Sequence, residues 1–198
     1  MLLYNNQVSG NCYKVRLLFA HLGIDYEVQE LDVLDRSNRR ELLGSLNPAL
    51  RVPTLVLDDG RSLAESNAII FHFAEGTQYL PEDAFERAQV LQWLFFEQYS
   101  HEPYIAVARF WKLFDVSPPT SSDYETRMKA GTAALKAMDR HLTDRPYLVG
   151  ERYTIADIAL YAYTHVAPEG GFELEPYPGI GAWLRRVATE PGHVPITA

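Results

Sequence analysis

The rhythm of hydrophobic and polar positions changes about a third of the way along the chain. Met1 to Tyr4 is a short apolar run closed by Asn5 and Asn6, after which Val15, Leu18, Phe19 and Leu22 recur at the spacing of one helix face, with Gly23 as the C-terminal stop. Tyr26 to Val33 alternates as a second strand does, with Tyr26 and Val28 apolar and, less regularly, Leu31 and Val33. A strand, a helix and a strand this close predict a right-handed parallel unit. A polar helix follows over Ser37 to Leu46 and ends at Asn47-Pro48, because proline disfavours helical geometry in the residue before it. Arg51 to Leu57 and Ser62 to Ala64 read as a hairpin turning on Asp59-Gly60. Glu65-Ser66 then opens a helix over Asn67 to Glu75, which Gly76 caps.

Beyond that point helical patterns replace the mixed ones. Thr77 to Asp83 is a connector, and the aromatic-rich stretch from Phe85 to Phe114 contains Pro103, which should kink or break it. After a Pro- and Ser-rich loop, Met128, Leu135, Met138 and Leu142 mark one face of a long helix. Thr154 is placed to cap the next helix, with Asp157 reaching back to the cap N–H and Tyr153 and Ile158 stapling it. Pro178 fits the first turn of a last helix that buries Ile180, Trp183, Leu184 and Val187. The expected organisation is an α/β domain over residues 1–76, a linker over 77–84 and an all-helical domain over 85–198.

Composition narrows the class without naming a function. The 198 residues are 47% hydrophobic, enough for a full core, and the formal charge of -8 comes with no basic cluster larger than Arg39-Arg40 or Arg185-Arg186. Nucleic acid and membrane surfaces are therefore not expected partners. Cys12 is the only cysteine, so neither an internal disulfide nor a cysteine zinc cluster is expected, and a reducing compartment, the cytoplasm, fits best. The N-terminus lacks the pattern of a signal peptide, and no apolar run approaches the roughly 20 residues that span a bilayer. The six histidines are scattered without ligand spacing, and no metal is expected.

The chemistry concentrates in Ser9-Gly10-Asn11-Cys12-Tyr13-Lys14-Val15-Arg16, a tight turn feeding a helix N-terminus. Such a terminus carries unpaired N–H groups and about half a positive charge, so it stabilises an anion. The turn adds a hydroxyl, an amide and the only thiol.

Asn47-Pro48 with Val52-Pro53, then Glu65-Ser66, then Thr154-Ile155-Ala156-Asp157, in this order and at these spacings, resemble the cytosolic glutathione transferase superfamily over essentially the whole chain, in a bacterial, serine- or cysteine-class-like form. The resemblance implies a thioredoxin-like N-terminal domain with a cis bond before Pro53, an all-helical C-terminal domain, glutathione as cosubstrate and a homodimer. Ser9 falls on the catalytic serine of serine-type classes. A one-residue adjustment gives Cys12 the catalytic role instead, and Asn11 is also placed to reach the sulfur. Val52, held by Pro53, should pair with the peptide body, Glu65 with the glutamyl ammonium and Ser66 with its carboxylate. Asn38, Arg39 and Arg51 match the glycyl end, although Asn38 departs from the family's histidine. Tyr104, Arg109, Phe110 and Trp111 are the candidates for an apolar electrophile. The expected activity is conjugation of glutathione to that electrophile. A glutathione-dependent disulfide reductase or peroxidase and a noncatalytic interaction protein on this fold are the alternatives.

Overall fold

Four short strands build one sheet. In the computed structural model, which describes residues 1–198, β1 (Leu2–Asn5) lies between β2 (Glu27–Glu30) and β3 (Thr54–Val56), and β4 (Ser62–Ala64) pairs with β3. β1 and β2 run parallel, whereas β3 is antiparallel to both β1 and β4. Side chains alternate across a strand. Tyr4 accordingly joins Leu31 and Leu43 in a cluster on one face, while its neighbour Leu3, fully buried, points to the other. Tyr4 is thus a residue of the core.

Helices α1 (Gly10–Leu22) and α3 (Ser66–Ala74) pack on each other, with Phe19 edge-on to Phe73 at 4.8 Å and to Tyr26 at 5.1 Å. On the Tyr4 side lies α2 (Arg39–Leu43), shorter than the predicted Ser37 to Leu46. Asn47 takes over where the helix stops. Its buried side chain donates to Arg51 O and Thr54 Oγ1, both at 3.0 Å, and accepts from Ala49 N at 2.9 Å, which shapes the loop into the cis Val52–Pro53 bond. β2 is also shorter than predicted, and Val28 is 47% exposed while Leu31 is buried. β2 is an edge strand that ends at Glu30, where Leu31 N donates to Asn5 O, so the alternation breaks one residue before Leu31.

These elements, residues 1–75, form one unit together with residues 191–198. The contacts divide the chain after residue 75, and residues 191–198, which the sequence reading placed with the helical domain, pack with the sheet. The tail follows α1 through side-chain bonds to backbone oxygens: Tyr13 Oη donates to Val194 O, Arg16 to Ile196 O and Gln7 Nε2 to Ala198 O, at 2.6 to 2.7 Å. Bonds of this kind carry no periodic signal.

Residues 76–190 form the helical unit. α4 (Ala84–Phe96) passes through a π-helical segment, Glu97–His101, into α5 (Glu102–Leu113). Pro103 explains the change, because its missing N–H and its ring disrupt the regular ladder one turn back. α6 (Ser121–Leu142), α7 (Ile155–Thr164), a 3₁₀ turn (Ala167–Gly170) and α8 (Pro178–Val187) complete the unit. Every residue of α7 is buried, as expected of a helix apolar on nearly all sides. Its capping box forms as predicted: Ala156 N donates to Thr154 Oγ1 at 3.2 Å and Thr154 N to Asp157 Oδ2 at 2.9 Å. Pro178 opens α8 as predicted.

Candidate functional site

The sheet register gathers the sequence-predicted residues at one end of the first unit. Tyr4 pairs with Thr54 and Thr54 with Ala64, so the turn after β1, the Val52–Pro53 loop before β3 and the start of α3 after β4 all emerge together. Two helix N-termini, those of α1 and α3, belong to this end, and each favours negative charge.

Ser9 is the N-cap of α1, half-buried, with its hydroxyl oxygen accepting from Cys12 N at 3.4 Å. Tyr13 N to Ser9 O, 2.9 Å, is the first bond of the helix, so the amides of Gly10 and Asn11 lie ahead of it. A hydroxyl that accepts one bond still has its proton to donate. Cys12 is different. It is fully buried, its sulfur accepts from Asn6 N at 3.3 Å, and burial pushes the thiol up to about 11 against the lowering effect of the Ser9 and Asn6 bonds. As placed, Cys12 is a protonated packing residue without access to a disulfide substrate.

At the start of α3, Glu65 is exposed and held at φ 68°, ψ 114°, a conformation that a non-glycine residue rarely adopts. It turns β4 sharply into the helix. Ser66 is buried and donates to Asn11 Oδ1 at 3.1 Å, tying the two helix starts together. Beneath both sits Lys14, fully buried, whose Nζ donates to Asn11 Oδ1 at 2.9 Å and to Ser66 Oγ and Asn67 Oδ1 at 3.3 Å. Sequence reasoning did not single out Lys14 or Asn67. The available signal was a lysine inside the apolar run of α1, which has to be hydrogen-bonded once that run is buried.

The three residues expected at a glycyl end are placed differently from one another. Arg39 is buried, and its guanidinium donates to Leu50 O at 3.3 Å and Asp32 O at 2.7 Å, so it braces the loop instead of offering an open cation. Asn38 and Arg51 are exposed.

On α5 the four predicted electrophile residues meet different neighbours. Arg109 is buried and ion-paired to Glu169 at 2.6 Å. Tyr104 lies under the Arg127 guanidinium, Trp111 packs against Tyr124, and Phe110 against Phe114. No group of three His, Cys, Asp or Glu side chains is arranged to hold a metal ion, and no helix is long and apolar enough to cross a membrane.

Known proteins show the same architecture. Residues 8–75 match the family described as Glutathione S-transferase, N-terminal domain, and residues 88–191 match Glutathione S-transferase, C-terminal domain. The crystal structure of a glutathione S-transferase from Pseudomonas fluorescens superposes with a TM-score of 0.96 at 51% identity, covering 100% of this chain and 98% of that one. Glutathione S-transferase 2 of Anopheles gambiae is 30% identical over 93% of this chain and 88% of its own. The disulfide-bond oxidoreductase YfcG of Escherichia coli is 28% identical over 91% and 87%. With its thioredoxin-like sheet unit and its helical unit, the chain belongs to the glutathione S-transferase family.

Proposed function

We propose that this chain binds glutathione at the shared end of the sheet, stabilises its thiolate at Ser9 and transfers the sulfur to an apolar electrophile. The observation that carries the reading is the hydrogen bond from Ser66 to Asn11, which holds the α1 turn and the α3 start at one fixed spacing. In this arrangement the glutamyl carboxylate sits at the α3 N-terminus, the peptide body pairs with Val52, and the thiol reaches Ser9 and the leading amides of α1. The thiol proton leaves to solvent. The sulfur lone pair then forms the S–C bond, and either a leaving group departs with its electron pair or an activated double bond takes up a proton. A hydroxyl donor and a helix dipole together lower the thiol pKa by about 1 to 2, since one unit is about 1.4 kcal/mol. The rest of the rate comes from proximity. Tyr104, Phe110 and Trp111 are the α5 residues assigned to the electrophile, whereas the ion pair of Arg109 gives it a bracing role.

A homodimer belongs to the same reading. Phe85, Leu91, Phe95 and Tyr99 leave a line of exposed apolar rings and chains along α4 and the π segment, three of them more than two-thirds exposed, and a second copy is the partner assigned to it. Light scattering reads the mass directly.

The test is the ultraviolet absorbance of bound thiolate across pH. In Ser9→Ala the bound thiol's pKa should rise by about 1 or more, and conjugation of chloro-dinitrobenzene below that pKa should fall about tenfold. An unchanged titration removes Ser9 from the assignment. The similarity to YfcG supports a second reading, reduction of a disulfide, in which two glutathione thiols become one glutathione disulfide as the substrate disulfide becomes two thiols. The burial of Cys12 makes the glutathione sulfur itself the nucleophile there. Turnover of hydroxyethyl disulfide faster than of chloro-dinitrobenzene selects that reading.

A further inference from the structure

We propose that Lys14 is a positioning residue that acts through Asn11: it fixes which edge of the Asn11 amide faces the bound sulfur. This role rests on the glutathione reading above. An ammonium only donates hydrogen bonds, so the Asn11 atom 2.9 Å from Lys14 Nζ has to be the carbonyl oxygen. Ser66 Oγ, 3.3 Å from the same nitrogen, has to accept from it, and its own proton goes to Asn11 Oδ1 at 3.1 Å. That oxygen therefore accepts two bonds on one edge of the amide, and the NH₂ group occupies the opposite edge. A flipped amide would set donor against donor at Lys14, the contact that decides the orientation, because the Ser66 hydroxyl can accept as well as donate.

The orientation matters because Asn11 stands in the first turn of α1, beside the Ser9 cap. An NH₂ edge presented to sulfur stabilises the thiolate, whereas a carbonyl edge repels it. Lys14 lies three residues on, on the same helix face and fully buried, so it holds this choice from below without touching the ligand. Its third bond, to Asn67 Oδ1, extends the brace along the start of α3. When a glutamyl carboxylate draws the Ser66 proton away, Lys14 still anchors the Asn11 oxygen.

Three variants and a common readout test this, namely the pKa of bound glutathione by thiolate absorbance, with circular dichroism reporting the fold. Lys14→Met, apolar and of similar length, should raise the bound thiol's pKa by about 1, which is about tenfold less thiolate below that pKa. Asn11→Ala should raise it similarly, and the double variant should rise no further than Asn11→Ala alone, because Lys14 works through that amide. The role is overturned if wild type binds glutathione with a lowered thiol pKa and folded Lys14→Met keeps it, or if the two single effects add. If wild type binds no glutathione, the transferase reading falls and this role with it. Should Lys14→Met unfold, Asn11→Asp keeps the size of the side chain and puts oxygen on both edges. Its bound thiol should titrate higher by about 1, and an unchanged pKa overturns the role as well.

Discussion

Two helix starts in this molecule face the same electrostatic problem and solve it in opposite ways. At α7 the protein supplies its own anion. Asp157 sits in the first turn, fully buried, accepting from Thr154 N, Thr154 Oγ1, Leu148 N and Trp183 Nε1. Burial pushes this carboxyl up to about 6, and the four bonds oppose that rise. α4 and α6 likewise carry Glu86 and Asp123 in their first turns, and the start of α8 receives Asp139 through the amide of Ile180 at 3.1 Å. Neither α1 nor α3 has an acidic residue in its first turn. A helix start provided with a carboxylate is structural, and one left without it keeps its positive end for a ligand. α1 and α3, capped by Ser9 and by Glu65, whose side chain makes no cap hydrogen bond, are the two starts that the sheet register brings together.

The largest expected effect comes from removing the structural anion. Asp157→Ala leaves the Leu148, Thr154 and Trp183 donors without their acceptor inside the helical unit, and it should cost about 3 to 5 kcal/mol in urea denaturation. Ser9→Ala, at the proposed glutathione site, should stay within about 1 kcal/mol of wild type, because its cap bond is long and half-exposed. Equal losses in the two variants would erase the distinction between the two kinds of helix start.

Cys12 sharpens the contrast within the α1 turn. Its thiol is protonated up to about 11, so at pH 8 it carries about 100-fold less thiolate than an unperturbed cysteine. Iodoacetamide should modify it slowly in the native protein and readily in urea. The folded state also holds this proton more tightly than the unfolded chain does between pH 9 and pH 11. The stability contributed by that difference is present below pH 9 and is lost as pH rises towards 11. Cys12→Ala should therefore show a shallower alkaline loss than wild type. Rapid alkylation of the folded protein at pH 8 would return Cys12 to the list of reactive groups.

What was legible in the sequence was local. The α7 cap is a three-residue relation, and Thr154 and Asp157 could be read as partners directly, yet the bonds to Leu148 and Trp183 depend on the fold. Ser9, Asn11 and Ser66 stood out as short polar residues at helix starts, and their convergence follows from strand order. Lys14 and Arg39 were harder. A basic side chain reads as surface or as a ligand for anions, and both are buried, braced on oxygens up to 53 residues away in the chain. The Tyr13, Arg16 and Gln7 bonds to the tail span more than 170 residues, which no periodicity reports.

The smallest effect tests the comparison most directly, because it converts a start proposed to bind a ligand into a structural one. Ala68 is the third residue of α3 and is exposed, so Ala68→Glu adds a first-turn carboxylate without disturbing the core. The new charge should stabilise the protein by about 0.3 to 1 kcal/mol at low salt, through the same dipole that Asp157 satisfies at α7. It should also compete with the glutamyl carboxylate. The glutathione dissociation constant measured by calorimetry should rise a few-fold, less so at high salt, where screening weakens the repulsion. Ala68→Gln, equal in length and uncharged, should do neither. A stabilised Ala68→Glu protein with unaltered glutathione affinity would separate the α3 N-terminus from the ligand, leaving α1 as the one start held open for an anion.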